Sequence, residues 1–260
     1  MPSVLIVGAT RGLGFELAKQ YSQQSNTTVY GTARKSTPED ASTDIKWISG
    51  VDLMEESSSK TLIDGLHKQG SATTTLDVVI ITAGYFGKES FDEPSWSKQV
   101  TMYTTSAIAP VFIVQGLFKA GALKKGAKVF LITSESGSIG LRHESEGGGN
   151  YGHHASKAAS NMVGKLLSLD LKEHGVAVGL LHPGFMRSEM TKSVGFDKFW
   201  DDGGAVEPSV AAKSLIEFIS TFDLSKTGEY WAPRGPGDIG TAEDTLGSKD
   251  KLPTPLQLPW

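Results

Sequence analysis

Short apolar runs alternate along the chain with longer segments in which apolar residues recur every three to four positions. Val4–Val7, Thr28–Thr32, Lys46–Val51, Leu76–Thr82, Lys128–Thr133, Val176–Leu181 and Glu229–Ala232 read as strands. Leu13–Tyr21, Glu55–His67, Trp96–Phe118, His153–Lys172 and Pro208–Phe222 read as helices, with Pro110 placed to kink the third. Alternating strands and helices predict βαβ units. Strands of Val, Ile and Leu with no polar face predict a parallel sheet covered on both sides. The expected fold is α/β: a Rossmann-type, doubly wound parallel sheet of about seven strands in the order 3-2-1-4-5-6-7, with helices on both faces and residues 1–260 forming one domain.

The polar, glycine-rich stretch Gly140–Gly152 predicts a loop. Residues 188–206 place Phe196, Phe199 and Trp200 among Asp and Gly, which suits a lid over a pocket. Residues 233–260 hold five of the eleven prolines and end in Leu252, Leu256, Leu258 and Trp260. Such a tail docks on its own domain or packs across an oligomer interface.

At 260 residues, 38% hydrophobic and 21% charged, the chain has an ordinary globular composition. No apolar run approaches the roughly 20 residues that span a bilayer. The start, Met1-Pro2-Ser3, lacks the basic flank of a signal peptide. A net charge of −4 without a basic block speaks against nucleic acid and anionic membranes as partners. The absence of cysteine excludes disulfides, thiolate metal sites and a cysteine nucleophile, and agrees with a cytoplasmic location. His143, His153 and His154 stand near Glu144 and Glu146 without metal-ligand spacing, so no metal is expected. His182, before a Pro-Gly turn, reads as a satisfied polar residue.

The placing of glycine carries the first chemistry. Val4–Val7 runs straight into Gly8-Ala9-Thr10-Arg11-Gly12-Leu13-Gly14, and a helix follows. Glycine permits a tight turn and close approach of backbone to phosphate, and a helix N-terminus offers unpaired N–H groups. Gly8, Thr10, Arg11, Gly12, Leu13 and Gly14 are therefore candidates for nucleotide contact, although the spacing is not G-x-G-x-x-G. An NAD-binding strand two ends in a carboxylate for the ribose hydroxyls. Here it ends in Gly31-Thr32-Ala33-Arg34-Lys35. Arg34 together with Arg11 suits a 2′-phosphate, which favours NADP(H); the alternative is that Arg34 and Lys35 are solvated loop charges. Asp52, followed by Leu53, either accepts from an adenine amine or caps a helix.

Taken together, these segments resemble the short-chain dehydrogenase/reductase family. Thr82-Ala83-Gly84 stands where that family has Asn-Asn-Ala-Gly, and Ile132-Thr133-Ser134 ends strand five. Ser106-Ala107-Ile108-Ala109-Pro110 aligns with Asn-x-x-x-Pro, and His153-His154-Ala155-Ser156-Lys157 with Tyr-x-x-x-Lys. His182-Pro183-Gly184 followed by Met186-Arg187-Ser188 is similar to the family's nicotinamide-binding turn. The resemblance covers residues 3–232, and the stretch Ala232–Gly240 is similar to fungal members of a C-factor-like branch. It implies an NADP(H)-binding oxidoreductase with Ala83, Gly84, Lys157, Pro183, Gly184, Met186 and Ser188 around the cofactor. It also implies a catalytic group of Ser134, Lys157, Ser106 in place of Asn and His153 in place of Tyr, with Ser136 and Ser138 as alternatives to Ser134. A small-molecule substrate and a homodimer or homotetramer built on the long helices go with it.

The histidine changes the chemistry. Positions i and i+4 share a helix face, so His153 is expected in the same pocket as Lys157. Tyr151 stands six residues before Lys157, about 600° around a helix, and is expected in the loop before it; the alternative is that a shifted backbone brings it in as the missing acid. An imidazole titrates near 6.5 where a phenol titrates near 10, and positive neighbours lower it further. A neutral imidazole is a poor acid toward an alkoxide and a serviceable base or hydrogen-bond donor. Three functions stay open: an NADP(H)-dependent oxidoreductase on a carbonyl, imine or alcohol; a redox-neutral cyclase or isomerase that keeps NADP(H) structurally; and a non-catalytic NADP(H)-binding protein. Tyr85, Phe86, Tyr151, Phe185 and Trp200 flank the expected pocket mouth. They suit a fairly large apolar substrate, such as a secondary metabolite, and suit ordinary core equally.

Overall fold

A computed structural model describes residues 2–38 and 44–260. In chain order the strands are β1 (Ser3–Val7), β2 (Thr28–Ala33), β3 (Ile45–Ser49), β4 (Leu76–Ile81), β5 (Leu123–Ile132), β6 (Ala177–Leu181), β7 (Glu229–Ala232) and β8 (Leu256–Gln257). The helices are α1 (Gly12–Ser22), α2 (Ser58–Gln69), α3 (Trp96–Tyr103), α4 (Ala109–Lys119), α5 (Tyr151–Lys172), α6 (Glu189–Ser193), α7 (Pro208–Thr221) and α8 (Ala242–Thr245). The strands form one sheet in the order β3-β2-β1-β4-β5-β6-β7-β8. Pairing is parallel from β3 through β7, and β8 runs antiparallel to β7.

Strand periodicity divides the core in two. Leu5 and Val7 point to one face, where Leu62 and Leu66 of α2, Ile113 and Leu117 of α4, and Leu167 and Leu171 of α5 cover them. Val4 and Ile6 point to the other, under Leu13 and Leu17 of α1 and Leu215 and Phe218 of α7. Each such side chain contributes roughly 1.5–3 kcal/mol when fully buried. The C-terminal ends of the strands carry the turns described below.

The structure departs from the sequence reading in several places. An eighth strand extends the sheet. The tail from Ile239 to Leu258 packs with Leu141, Leu180 and Tyr230 in a third apolar cluster, tied by Thr241 Oγ1 donating to the Leu141 carbonyl (2.8 Å). The segment Trp96–Phe118 is not one regular helix bent at Pro110. A π-helical turn, Thr104–Ile108, separates α3 from α4, and Pro110 sits in the first turn of α4, where a missing N–H costs little. The whole helical stretch Trp96–Lys119, 24 residues, is long and apolar enough to cross a membrane by length and composition, contrary to expectation; 44% of its apolar window is buried against the rest of the fold. α5 begins at Tyr151, two residues before the expected start. β5 begins at Leu123, because exposed Lys124, Lys125 and Gly126 interrupt the apolar pattern while the strand continues.

Candidate active site

The loop from β1 to α1 is closed by close backbone packing. Gly8 has φ +91° and packs so tightly on Ala83 that a Cβ there would lie 2.8 Å from it. A Cβ on Gly14 would lie 2.1 Å from the Gly8 carbonyl oxygen. The Gly8 amide donates to Thr32 Oγ1 (2.8 Å), and Thr82 Oγ1 donates to the Val7 and Gly8 carbonyls (both 3.0 Å). The turn is thus fastened to the ends of β2 and β4. Gly12, at φ +53°, has open space within 4 Å of where a Cβ would stand. Arg11 precedes α1 without a side-chain cap, so no capping side chain takes up the first amides of the helix. Arg11 and Arg34 are both exposed and have no ion-pair partner among the described residues. Asp52 Oδ1 accepts the Met54 amide (3.0 Å): it stabilises the turn ahead of α2, and Leu53 behind it is buried.

Beyond this turn, α5 carries His153 and Lys157. Lys157 Nζ donates to the Ile132 carbonyl at the end of β5 (3.0 Å) and lies 3.9 Å from where a Cβ on Gly84 would stand. Burial pulls its ammonium down to a pKa of about 8. The His153 ring stacks on Phe86 with centroids 4.1 Å apart and meets His154 edge-on at 5.5 Å. Its Nδ1 is buried without a hydrogen-bond partner. Burial first, then the positive charge of Lys157, with smaller effects from His154 and Arg142, lowers its pKa to about 3. At neutral pH it is an uncharged imidazole.

Ser106 lies in the π-helical turn, 4% exposed, its Oγ buried and unpartnered. Ser134 follows β5 in extended backbone, and its hydroxyl accepts the Ser136 amide (3.2 Å). The turn Glu135–Gly137 presses on α5: a Cβ on Gly137 would lie 2.6 Å from the Lys157 carbonyl carbon. Ser138 caps the next turn through its own hydroxyl, which accepts the Leu141 amide (3.1 Å). Tyr151 is the first residue of α5 rather than part of the preceding loop, and its side chain is 40% exposed.

Two features escape the sequence reading. Glu89, 5% exposed, accepts the Ser95 amide (2.7 Å), the Gly152 amide (2.9 Å) and Gln99 Nε2 (3.1 Å). One buried carboxylate therefore holds the starts of α3 and α5, one residue before His153. Burial opposes its charge, but these hydrogen bonds and Lys98 outweigh that and hold the carboxyl below its ordinary pKa. Arg142 pairs with Glu135 (2.5 Å) and Glu146 (3.0 Å), which orders the loop that leads to α5.

Past β6, Pro183 and Gly184 are buried and Gly184 takes φ +90° against the Asp238 carboxylate. Met186 bridges to Val206, and Ser188 caps α6 by accepting the Thr191 amide (3.3 Å). Arg187 pairs with Asp201 (2.6 Å) and lies over the Trp200 ring, whose Nε1 donates to Thr191 Oγ1 (3.2 Å). Trp200 thus holds the 188–206 segment together. Phe185 lines Gly203, and Tyr85 is 39% exposed. Phe196 meets Phe86 edge-on at 5.6 Å, so this segment rests on the residue that covers His153.

The chain matches the short chain dehydrogenase family over residues 2–198. It is 30% identical over 233 residues to the 1-hydroxy-2-glutathionyl-2-methyl-3-butene dehydrogenase of Rhodococcus sp. (strain AD45), which covers 88% of this chain and 96% of that one. An uncharacterized oxidoreductase of Schizosaccharomyces pombe is 28% identical over 251 residues, 93% of this chain and 95% of that one. Among solved structures, the NADPH-bound carbonyl reductase from chicken fatty liver superposes with a TM-score of 0.77 at 21% identity, over 89% of this chain and 96% of that one; this likeness speaks to fold. Sheet order, glycine turn and sequence agree, and the chain belongs to the short-chain dehydrogenase family.

Proposed function

We propose that this protein is an NADP(H)-dependent oxidoreductase that acts on a carbonyl, imine or alcohol of a fairly large apolar molecule, with His153 where the family has tyrosine. The observation that carries the reading is the open glycine turn. Gly12 leaves room for a phosphate at the start of α1, and exposed Arg11 and Arg34 suit a 2′-phosphate. Gly8, Thr10, Gly12, Leu13 and Gly14 would hold the pyrophosphate side; Ala83, Gly84, Lys157, Pro183, Gly184, Met186 and Ser188 would flank the nicotinamide side. When bound, the nicotinamide supplies or takes the hydride. Lys157 donates from a position fixed by the Ile132 carbonyl, Ser134 hydrogen-bonds the reacting oxygen or nitrogen, and Ser106 supports the base of the site. His153, neutral at pH 7, orients the substrate as a hydrogen-bond partner. An imine that arrives protonated needs no acid from it. The similarity to a dehydrogenase in sequence and to an NADPH-bound carbonyl reductase in fold supports this reading. Fluorescence titration tests it: NADPH binds about tenfold or more tightly than NADH, and Arg34→Ala removes most of the difference. Tighter NADH binding refutes it.

A second reading, a redox-neutral cyclase or isomerase that keeps the nucleotide as part of the pocket wall, is favoured by the depressed pKa of His153, which suits a base better than an acid. Product formation without NADPH consumption selects it. The exposed apolar side chains Ile108 and Phe112, with Met162, Leu166 and Leu169 of α5, support a homo-oligomer, which light scattering tests; a monomer at micromolar concentration refutes it.

A further inference from the structure

The peptide unit that joins Ser134 to Glu135 is bonded at both of its polar ends by side chains from elsewhere in the fold. The Ser134 carbonyl accepts the Tyr230 hydroxyl of β7. The Glu135 amide donates to His182 Nδ1 at the end of β6 (3.0 Å). Both partners are buried, Tyr230 at 1% and His182 at 5% exposure, and neither contacts Lys157 or His153 through a hydrogen bond. We propose that His182 and Tyr230 are positioning residues for Ser134, and that the tail 233–260 holds both of them in place. The inference rests on the reading of Ser134 as the hydroxyl that meets the substrate.

The argument is geometric. The Oγ direction of a residue follows from the placement of its Cα and of the peptide planes on either side. A peptide plane tethered at one end can swing about that tether; tethered at its carbonyl and its amide, it cannot. Each tether is itself fixed. His182 accepts at Nδ1, so its proton is on Nε2, which donates to the Asp238 carbonyl (3.2 Å); the tail thereby sets the tautomer and the ring angle. The Tyr230 ring stacks on Trp260, centroids 5.8 Å apart, and the Leu258 amide bonds the Tyr230 carbonyl (2.8 Å). Asp238, Leu258 and Trp260 all lie beyond the span that matches the family. A segment beyond the matched span therefore sets the angle of a group inside it.

The chain has no cysteine, so Ser134→Cys creates a single thiol whose alkylation by iodoacetamide reports how freely position 134 moves. In that background Tyr230→Phe, which keeps the ring and loses only the hydroxyl, and His182→Leu each speed alkylation about fivefold, the factor that one lost hydrogen bond gives. His182→Asn returns an acceptor to the Nδ1 position and restores the slow rate. A thiol at exposed Ser220 (Ser220→Cys) keeps its rate throughout. The proposal is overturned if the rate at 134 does not move in Tyr230→Phe and His182→Leu, if His182→Asn behaves as His182→Leu, or if the rate at 220 rises in parallel. Turnover of 4-nitrobenzaldehyde with NADPH by Ser134→Ala is followed alongside. Unchanged turnover there, with the thiol rates moving as stated, leaves the tethering intact and removes Ser134 from the chemistry.

Discussion

The Phe86 ring lies nearly parallel to the His153 imidazole, at 27° and 4.1 Å between centroids. This contact takes water from one face of the imidazole, and Lys157 lies close enough to disfavour a second positive charge. A folded-state pKa of about 3 follows. In the unfolded chain the same imidazole takes up its proton near 6.5. Between those two values the unfolded state holds a proton that the folded state refuses, so stability falls as pH drops from 6.5 toward 3. At pH 4 the loss from this one residue is about 3 kcal/mol. His153→Phe, which keeps an aromatic ring against Phe86, gives a flatter curve in urea unfolding between pH 7 and pH 4.

A phenol at the same position changes turnover. His153→Tyr restores a group that can give up a proton, and general acid catalysis is worth about 10²–10⁴ in rate. With NADPH and a panel of aromatic aldehydes, His153→Tyr oxidises the cofactor at least about tenfold faster than the natural chain. Equal rates would show that the imidazole is not the weak point of the site.

Glu89 ties two helix starts together through three hydrogen bonds. Glu89→Gln turns an amide nitrogen toward donors and lowers stability by about 2 kcal/mol. Because the folded carboxyl titrates below its ordinary value, its contribution is present above about pH 4.3 and fades as pH falls through the lowered folded value. Glu89→Gln therefore loses this acid-side dependence, which thermal melts across pH 3 to pH 6 resolve.

The glycines of the turn separate packing from conformation. Gly14→Ala forces a methyl to 2.1 Å from a backbone oxygen and costs about 3 kcal/mol or more. Gly12→Ala meets open space but keeps φ at +53°, and costs about 1 kcal/mol. Chemical denaturation ranks the two, and NADPH titration shows Gly12→Ala impaired in binding beyond its loss of stability.

The sheet was legible because a parallel strand buried on both faces has no reason to alternate, so Val78–Ile81 and Ala177–Leu181 stand out as short runs without a polar side chain. The glycine turn and the His153–Lys157 pair were legible because their spacing encodes a turn and a helix face. Glu89 was not: it follows Lys88 in a polar loop, where a carboxylate usually faces water, and only the convergence of α3 and α5 buries it. The π-helical turn was hidden because one inserted residue leaves the apolar pattern on each side intact. The tethers on Ser134 come from residues 182 and 230, too far along the chain for any local pattern to join them.

The sheet ends in a strand of two residues, Leu256–Gln257, bracketed by Pro253, Pro255 and Pro259. Proline has no amide to offer a neighbour, and so short a border gives a passing chain almost nothing to zip onto. Those residues act as a selvedge: they lie along β7 and finish the fabric of the sheet on that side.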